Sequence, residues 1–97
     1  KILYCGDIVG RAGRNTITKH IKDIREKYTL DAVIVNGENA AHGFGLSPSI
    51  AQDLLTTGVD GITTGNHIWQ QREIYPFLDS SSQIIRPLNY PETLPGK

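Results

Sequence analysis

The sequence lacks three features, each of which is typical of a particular class of protein. It has one cysteine, Cys5, in 97 residues, so it cannot form an internal disulfide, and this favours a reducing compartment. Ten basic residues balance ten acidic ones, so no overall field favours nucleic acid or an anionic membrane. No apolar run approaches the ~20 residues of a membrane-spanning helix. We therefore expect a cytoplasmic protein that does not enter a membrane.

The two ends of the chain favour a fragment of a longer domain. The chain starts on Lys1, inside an apolar run and without an initiator Met, and stops at the turn-like Pro95-Gly96-Lys97. We expect residues 1–97 to be the N-terminal portion of a single domain. A sheet that lacks its remaining elements is expected to keep an open edge and an exposed apolar face.

Apolar runs and turn residues alternate along the chain in the order β-α-β-α-β-α-β. The pattern predicts strands at 1–5, 31–36, 59–64 and 83–86, and helices at 14–28, 48–57 and 70–78. Pro76 is expected to kink or shorten the third helix. Right-handed crossovers between such strands predict an α/β fold, a parallel sheet with helices on both faces.

Each of the first three strands is followed by a glycine and then by side chains that can donate oxygen or nitrogen ligands. These are Asp7, Glu38 with Asn39, and Asn66 with His67. Because parallel strands end at one edge of the sheet, we expect the five side chains to converge. Carboxylate, amide and imidazole groups together suit divalent ions such as Mn²⁺, Fe²⁺ or Zn²⁺. The pattern favours metal-assisted hydrolysis over a simple binding module.

Each motif also has an ordinary structural explanation. Asp7 could cap the following helix, Gly37-Glu38-Asn39 is turn-like, and Asn66 could cap a helix. The spacing Gly6-x-x-x-Gly10-x-x-Gly13 also resembles a dinucleotide-binding loop. A carboxylate at Asp7, inside the loop that would hold a pyrophosphate, argues against that interpretation.

In the catalytic interpretation, Glu38 bridges two cations ~3.5–4 Å apart, the separation found in two-metal phosphoryl-transfer sites. Asn66 holds a metal while His67 faces the substrate and protonates a leaving alkoxide, because histidines titrate near neutral pH. His42, in the loop after Asn39, is a candidate contact for the substrate phosphate.

These motifs carry a family resemblance. Gly65-Asn66-His67 is similar to the Asn-His motif of calcineurin-like metallophosphoesterases. Gly6-Asp7-Ile8-Val9-Gly10 replaces the usual Asp-x-His of that superfamily, and Gly37-Glu38-Asn39 replaces its usual Gly-Asp. With Gly65-Asn66-His67-x-Trp69 and Arg86-Pro87-x-Asn89-Tyr90-Pro91, the whole chain resembles the bacterial 2′,3′-cyclic-nucleotide 2′-phosphodiesterase family.

The resemblance implies the N-terminal part of an αββα sandwich and two divalent metal ions, iron first and manganese as the alternative. It implies that Asp7, Glu38 and Asn39 hold one ion, that Glu38 bridges to a second ion held by Asn66, and that His67 is the proton donor. Family members are longer, and their remaining histidine ligands lie beyond the stretch that matches this chain. These 97 residues alone are therefore expected to be inactive.

The implied substrate is a small cyclic nucleotide or another phosphodiester, and a homo-oligomer and RNA-related partners are implied as well. The family usually has Asp where this chain has Gln70, and we expect the change to be tolerated. Two alternatives stay open. One is a metallophosphoesterase of other specificity, such as a phosphomonoesterase, and the other is a non-catalytic regulatory protein that binds nucleotide and uses metal structurally.

Overall fold

The computed structural model describes residues 1–97 and contains one four-stranded sheet. The elements in chain order are β1 (Ile2–Cys5), α1 (Gly10–Lys27), β2 (Ala32–Asn36), α2 (Pro48–Thr57), β3 (Gly61–Thr63), the 3₁₀ helices Asn66–Gln70 and Arg72–Ile74, α3 (Tyr75–Ser80) and β4 (Ile84–Ile85). All strands are parallel, in the order β1-β2-β3-β4, so the predicted parallel α/β fold is confirmed. No helix combines the length and the apolar character that a membrane crossing requires.

The helices pack on one face of the sheet, whereas the sequence predicts helices on both faces. Val35, Ile62 and Ile84 are neighbours across the sheet and belong to one buried core. That core also contains Ile21 of α1 and Leu54 of α2. Because the strands follow one another in order, each right-handed crossover steps in the same direction, and every helix returns on the same side.

The opposite face of the sheet is apolar and largely uncovered. Ile2 is 71% exposed, and Tyr4 and Ile85 are each more than half exposed. The Tyr4 hydroxyl reaches across β2 to within 3.3 Å of the Thr63 hydroxyl. The structure therefore has the exposed apolar face that the sequence predicts.

Helix α1 begins four residues earlier than predicted. The sequence predicts a start at Arg14 because glycine lowers helix propensity, yet Gly10 and Gly13 form the first turn. The Gly10 N–H donates to the Asn39 carbonyl, 3.1 Å away. An N–H at the start of a helix has no partner within the helix, so the Asn39 carbonyl supplies one. A Cβ on Gly13 would overlap the side chain of Ile8, so this glycine lets the helix start against the buried Ile8.

Helix α2 has the predicted bounds, but the third predicted helix is wrong. Ser47 caps α2 by accepting from the Ile50 N–H at 3.3 Å, Pro48 occupies its first turn, and Gly58 ends it with φ of 131°. Residues 70–78 instead form the end of one 3₁₀ helix, a second 3₁₀ helix and the start of α3. Pro76 lies in the first turn of α3, where its missing N–H costs nothing, so it starts a helix instead of kinking one.

The strands are shorter than predicted, and at the start of β3 a side chain binds the backbone of β2 instead. Asp60, predicted within β3, lies just before it and accepts from the Val33 N–H at 2.8 Å. The same oxygen accepts from the Arg25 guanidinium at 2.6 Å. The Arg25 hydrogen bond, together with that of Val33, lowers the pKa of the Asp60 carboxyl. This charged contact ties α1 to the sheet at the end away from the three motifs.

Candidate functional site

Backbone hydrogen bonds join the loops that follow β1, β2 and β3. The Ile8 N–H donates to the Asn36 carbonyl at 3.1 Å, and the Gly37 N–H donates to the Thr63 carbonyl at 2.9 Å. The Asn39 carbonyl accepts from both Gly10, at the start of α1, and Gly43, further along its own loop. These bonds fix the three loops at one edge of the sheet, as the parallel topology predicts.

Three of the predicted side chains form a hydrogen-bonded row at this edge. The Asn39 Nδ2 donates to Asp7 Oδ1 at 2.7 Å, and Asn39 Oδ1 lies 2.6 Å from His67 Nδ1. A carboxylate only accepts, so the amide nitrogen must face Asp7 and the amide oxygen must face His67. His67 Nδ1 therefore carries a proton and donates it to Asn39, which leaves Nε2 free of this bond.

Glu38 lies beside this row without a hydrogen-bond donor. Its side chain is only 21% exposed, and no N–H or O–H of the chain donates to its carboxylate. The nearest ring nitrogen is that of His67, whose Nδ1 is 4.0 Å from Glu38 Oε2. Solvent reaches this carboxylate, because no buried side-chain oxygen of the chain lacks a hydrogen-bond partner. Its oxygens are therefore free to ligate a cation.

Glu38 also lies directly against the backbone of Gly65. A Cβ on Gly65 would overlap the Glu38 carboxylate. The φ of Gly65 is −146°, an extended value that any residue adopts, so the site requires the space that glycine leaves. This contact joins the second and third motifs, and sequence reasoning did not identify it.

Asn66 and His42 make no side-chain hydrogen bond to this row. Asn66 is exposed at the start of its 3₁₀ helix and its side chain makes no hydrogen bond within the chain. His42 is exposed, with a left-handed φ of 54°. It lines a neighbouring cleft of about 480 Å³ together with Arg14 and Glu73, and neither the four predicted ligands nor His67 line that cleft.

The donor types at this edge fit a divalent cation. Two carboxylates and two amides supply the oxygen ligands that such ions take in proteins. Asn39 Oδ1 has a second lone pair, so it can accept from His67 and still ligate a metal. No three His, Cys, Asp or Glu side chains are placed to share one ion. These residues therefore provide part of a coordination sphere and leave positions for other ligands.

The loop after Asn39 places an aromatic ring beside His67. The ring centroids of Phe44 and His67 are 5.9 Å apart, and the rings are inclined by 65°. Sequence reasoning gave Phe44 no separate role, and its only sequence signal is a large apolar residue between two glycines. Trp69, two residues after His67, has a structural contact, since its Nε1 donates to the Pro95 carbonyl at 3.1 Å.

Replacing Gly65 with alanine in the full-length protein is expected to weaken metal binding by about 10- to 100-fold, the usual cost of disturbing the support of a ligand. The added methyl displaces the Glu38 carboxylate, which is the end of a flexible side chain, so the melting temperature should hardly change. Gly6→Ala is the matched control, because nothing lies within 4 Å of its added Cβ. Calorimetric titration with Mn²⁺ checks both variants. Equal affinities for the two would show that Glu38 does not depend on the space at Gly65.

Comparison with known proteins gives consistent matches over the whole chain. The model of a family described as YmdB-like protein matches residues 3–97. The chain is 44% identical over its 97 residues to the 2′,3′-cyclic-nucleotide 2′-phosphodiesterase of Bacillus subtilis (strain 168), and covers 37% of that protein.

Two crystal structures have the same fold. A hypothetical protein from Thermus thermophilus is 44% identical with a TM-score of 0.89, over 99% of this chain and 37% of that one. A protein from Mycoplasma pneumoniae described as a novel phosphatase is 40% identical with a TM-score of 0.87, over 93% of this chain and 32% of that one. The chain spans about a third of the length of the relatives it matches.

Proposed function

Since the chain belongs to the family of YmdB-like proteins, we propose that it supplies part of the active site of a metal-dependent phosphodiesterase. The proposed reaction converts 2′,3′-cyclic nucleotides to 3′-nucleotides, and the relative from Bacillus subtilis is named for that activity. The placement of the Glu38 side chain is the observation that supports this proposal most directly. Its carboxylate receives no hydrogen bond from the chain, lies against Gly65 and is 4.0 Å from His67 Nδ1.

The proposed metal ligands are Asp7, Glu38, Asn39 and Asn66, with iron as the first candidate and manganese as the alternative. When bound, two such ions polarise a phosphoryl oxygen and stabilise the charge on the attacking and leaving oxygens. Asp7 has a second role within the chain. By accepting from Asn39 Nδ2 it fixes the amide, and the amide in turn fixes the ring of His67.

The proposed proton donor is His67. Water attacks the phosphorus and gives up a proton to the solvent, the bond between phosphorus and O2′ breaks, and the leaving O2′ takes a proton from the ring. The ring then regains a proton from the solvent. Nδ1 stays bound to Asn39, so Nε2 is the nitrogen that delivers the proton, and His67 acts from its doubly protonated form. The Glu38 carboxylate, 4.0 Å from Nδ1, balances the charge of that form.

A phosphomonoesterase is the second candidate, because the Mycoplasma pneumoniae structure is described as a phosphatase. The test compares 2′,3′-cyclic AMP with 2′-AMP and 3′-AMP as substrates of the full-length protein in the presence of Mn²⁺ or Fe²⁺. The proposal predicts that 3′-AMP accumulates from the cyclic substrate and that both monoesters persist. Release of inorganic phosphate from the monoesters as the faster reaction would favour the phosphatase. Binding of nucleotide without turnover would contradict both.

Four further expectations stay predictions. These are the homo-oligomer, the RNA-related partners, the contact of His42 with substrate phosphate, and the cytoplasmic location. The structure bears on one of the four, because His42 lines a cleft that begins in the loop containing Phe44.

A further inference from the structure

Phe44 is an exposed apolar residue in a loop whose neighbouring apolar residues are packed. Its side chain is 58% exposed, whereas Ala41, Gly45 and Leu46 on either side are buried. Leaving a phenylalanine in water forfeits the free energy of burying it. The position next to His67 indicates a contact that forms when a ligand is bound.

The loop holds Phe44 in a fixed place. The Ala41 N–H donates to the Gly45 carbonyl at 2.9 Å, and the Phe44 N–H donates to the Ala41 carbonyl at 2.9 Å. Gln71 Nε2 donates to the Phe44 carbonyl at 3.0 Å. These hydrogen bonds fix the backbone on both sides of the ring.

The backbone of this loop turns through the left-handed region. Gly43 and Gly45 have φ values of 86° and 77°, which glycine adopts readily, and His42 has a φ of 54°, which non-glycine residues rarely adopt. A Cβ on Gly45 would lie 2.9 Å from the His67 carbonyl oxygen, so the loop packs directly on the residue it accompanies. The exposed ring and the proposed proton donor thus belong to one rigid unit.

We propose that Phe44 stacks on the nucleobase of the substrate. This inference rests on the proposed function. It concerns the base, which is the part of the substrate that the phosphate-binding residues do not contact. The polar groups at the sheet edge suit the phosphate, and the base is the flat apolar part of the same molecule. Stacking on an aromatic side chain tolerates any base, because every base has a π face. Phe44 therefore favours nucleotides over phosphodiesters that lack a base.

The test compares adenosine 2′,3′-cyclic phosphate with ribose 2′,3′-cyclic phosphate, which has no base, as substrates of the full-length enzyme. Phe44→Ala is expected to lower kcat/KM for the adenosine substrate by about 5- to 100-fold, the range for losing one stacked base. The loss on the abasic substrate should be far smaller, and Phe44→Trp should keep the preference for the base. Tyr28→Ala removes an aromatic side chain that is 50% exposed at the other end of the sheet and is the matched control.

Equilibrium binding gives a second readout that does not depend on turnover. Calorimetry of Phe44→Ala should show weakened binding of 3′-AMP and unchanged binding of inorganic phosphate. An equal loss on the adenosine and abasic substrates would overturn the stacking role and assign Phe44 to the positioning of His67. If the wild-type protein turns over neither substrate, the proposed function itself fails. If the wild-type protein is active and Phe44→Ala is equally active, only the stacking role is overturned.

Discussion

Replacing His67 with alanine in the full-length, metal-loaded protein is expected to lower kcat by about 10²- to 10⁴-fold, the usual contribution of a general acid. The ring is the group whose Nε2 faces no partner within the chain, and its Nδ1 is held by Asn39. Metal content should stay unchanged in the variant, because the oxygen donors remain. His20→Ala is the control, since His20 is exposed on α1 and makes no side-chain hydrogen bond.

Substrates with different leaving groups distinguish a proton donor from a residue that only positions the substrate. A nitrophenyl ester needs little protonation as its bond breaks, so His67→Ala should lose much less activity on that substrate than on 2′,3′-cyclic AMP. Rates on the two substrates, measured with the same enzyme preparation, check this. A loss of the same size on both would contradict the proton transfer and point to a positioning or ligand role.

Replacing Glu38 with glutamine is expected to remove metal and activity together. Glutamine keeps the shape of the side chain but cannot bridge two cations with a negative charge, so we expect a loss of more than about 100-fold, above the usual cost of disturbing a group that only supports a ligand. Elemental analysis and turnover of 2′,3′-cyclic AMP measure the two effects on one sample. Glu26→Gln, an exposed position near the end of α1, is the matched control.

The direction of the stability change distinguishes this explanation from unfolding. The Glu38 carboxylate receives no hydrogen bond from the chain, so the amide of glutamine loses no partner within the fold. In the metal-free protein Glu38→Gln should therefore not lower the melting temperature. An unfolded variant would mean that Glu38 is structural, and an unchanged metal content would contradict the bridging role.

The meeting of the three motifs could be predicted from the sequence because it depends only on topology. Apolar runs mark the strands, and parallel strands end at one edge, so Asp7, Asn39 and His67 had to come close. The hydrogen bonds between them confirm the proximity. Their roles as ligands and as proton donor stay predictions, since they depend on groups that bind at this edge.

Contacts between distant residues, and in one place local turns, explain what the sequence could not predict. The start of α1 depends on the Asn39 carbonyl and on the space between Gly13 and Ile8. The third predicted helix is divided into shorter elements by local turns before Pro76, and the hydrophobic pattern does not predict these turns. The placement of the Glu38 carboxylate against Gly65, and of Phe44 against His67, is set by packing and has no periodicity to reveal it.

The number of metal ions per chain in the full-length wild-type protein, followed during removal and return of the metal, tests the central claim most directly. The account predicts two ions per chain, the number a bridging carboxylate implies. Turnover of 2′,3′-cyclic AMP should disappear on chelation and return with Fe²⁺ or Mn²⁺. Full turnover in a preparation without metal, or with a single bound ion, would contradict the two-metal site at the end of this sheet.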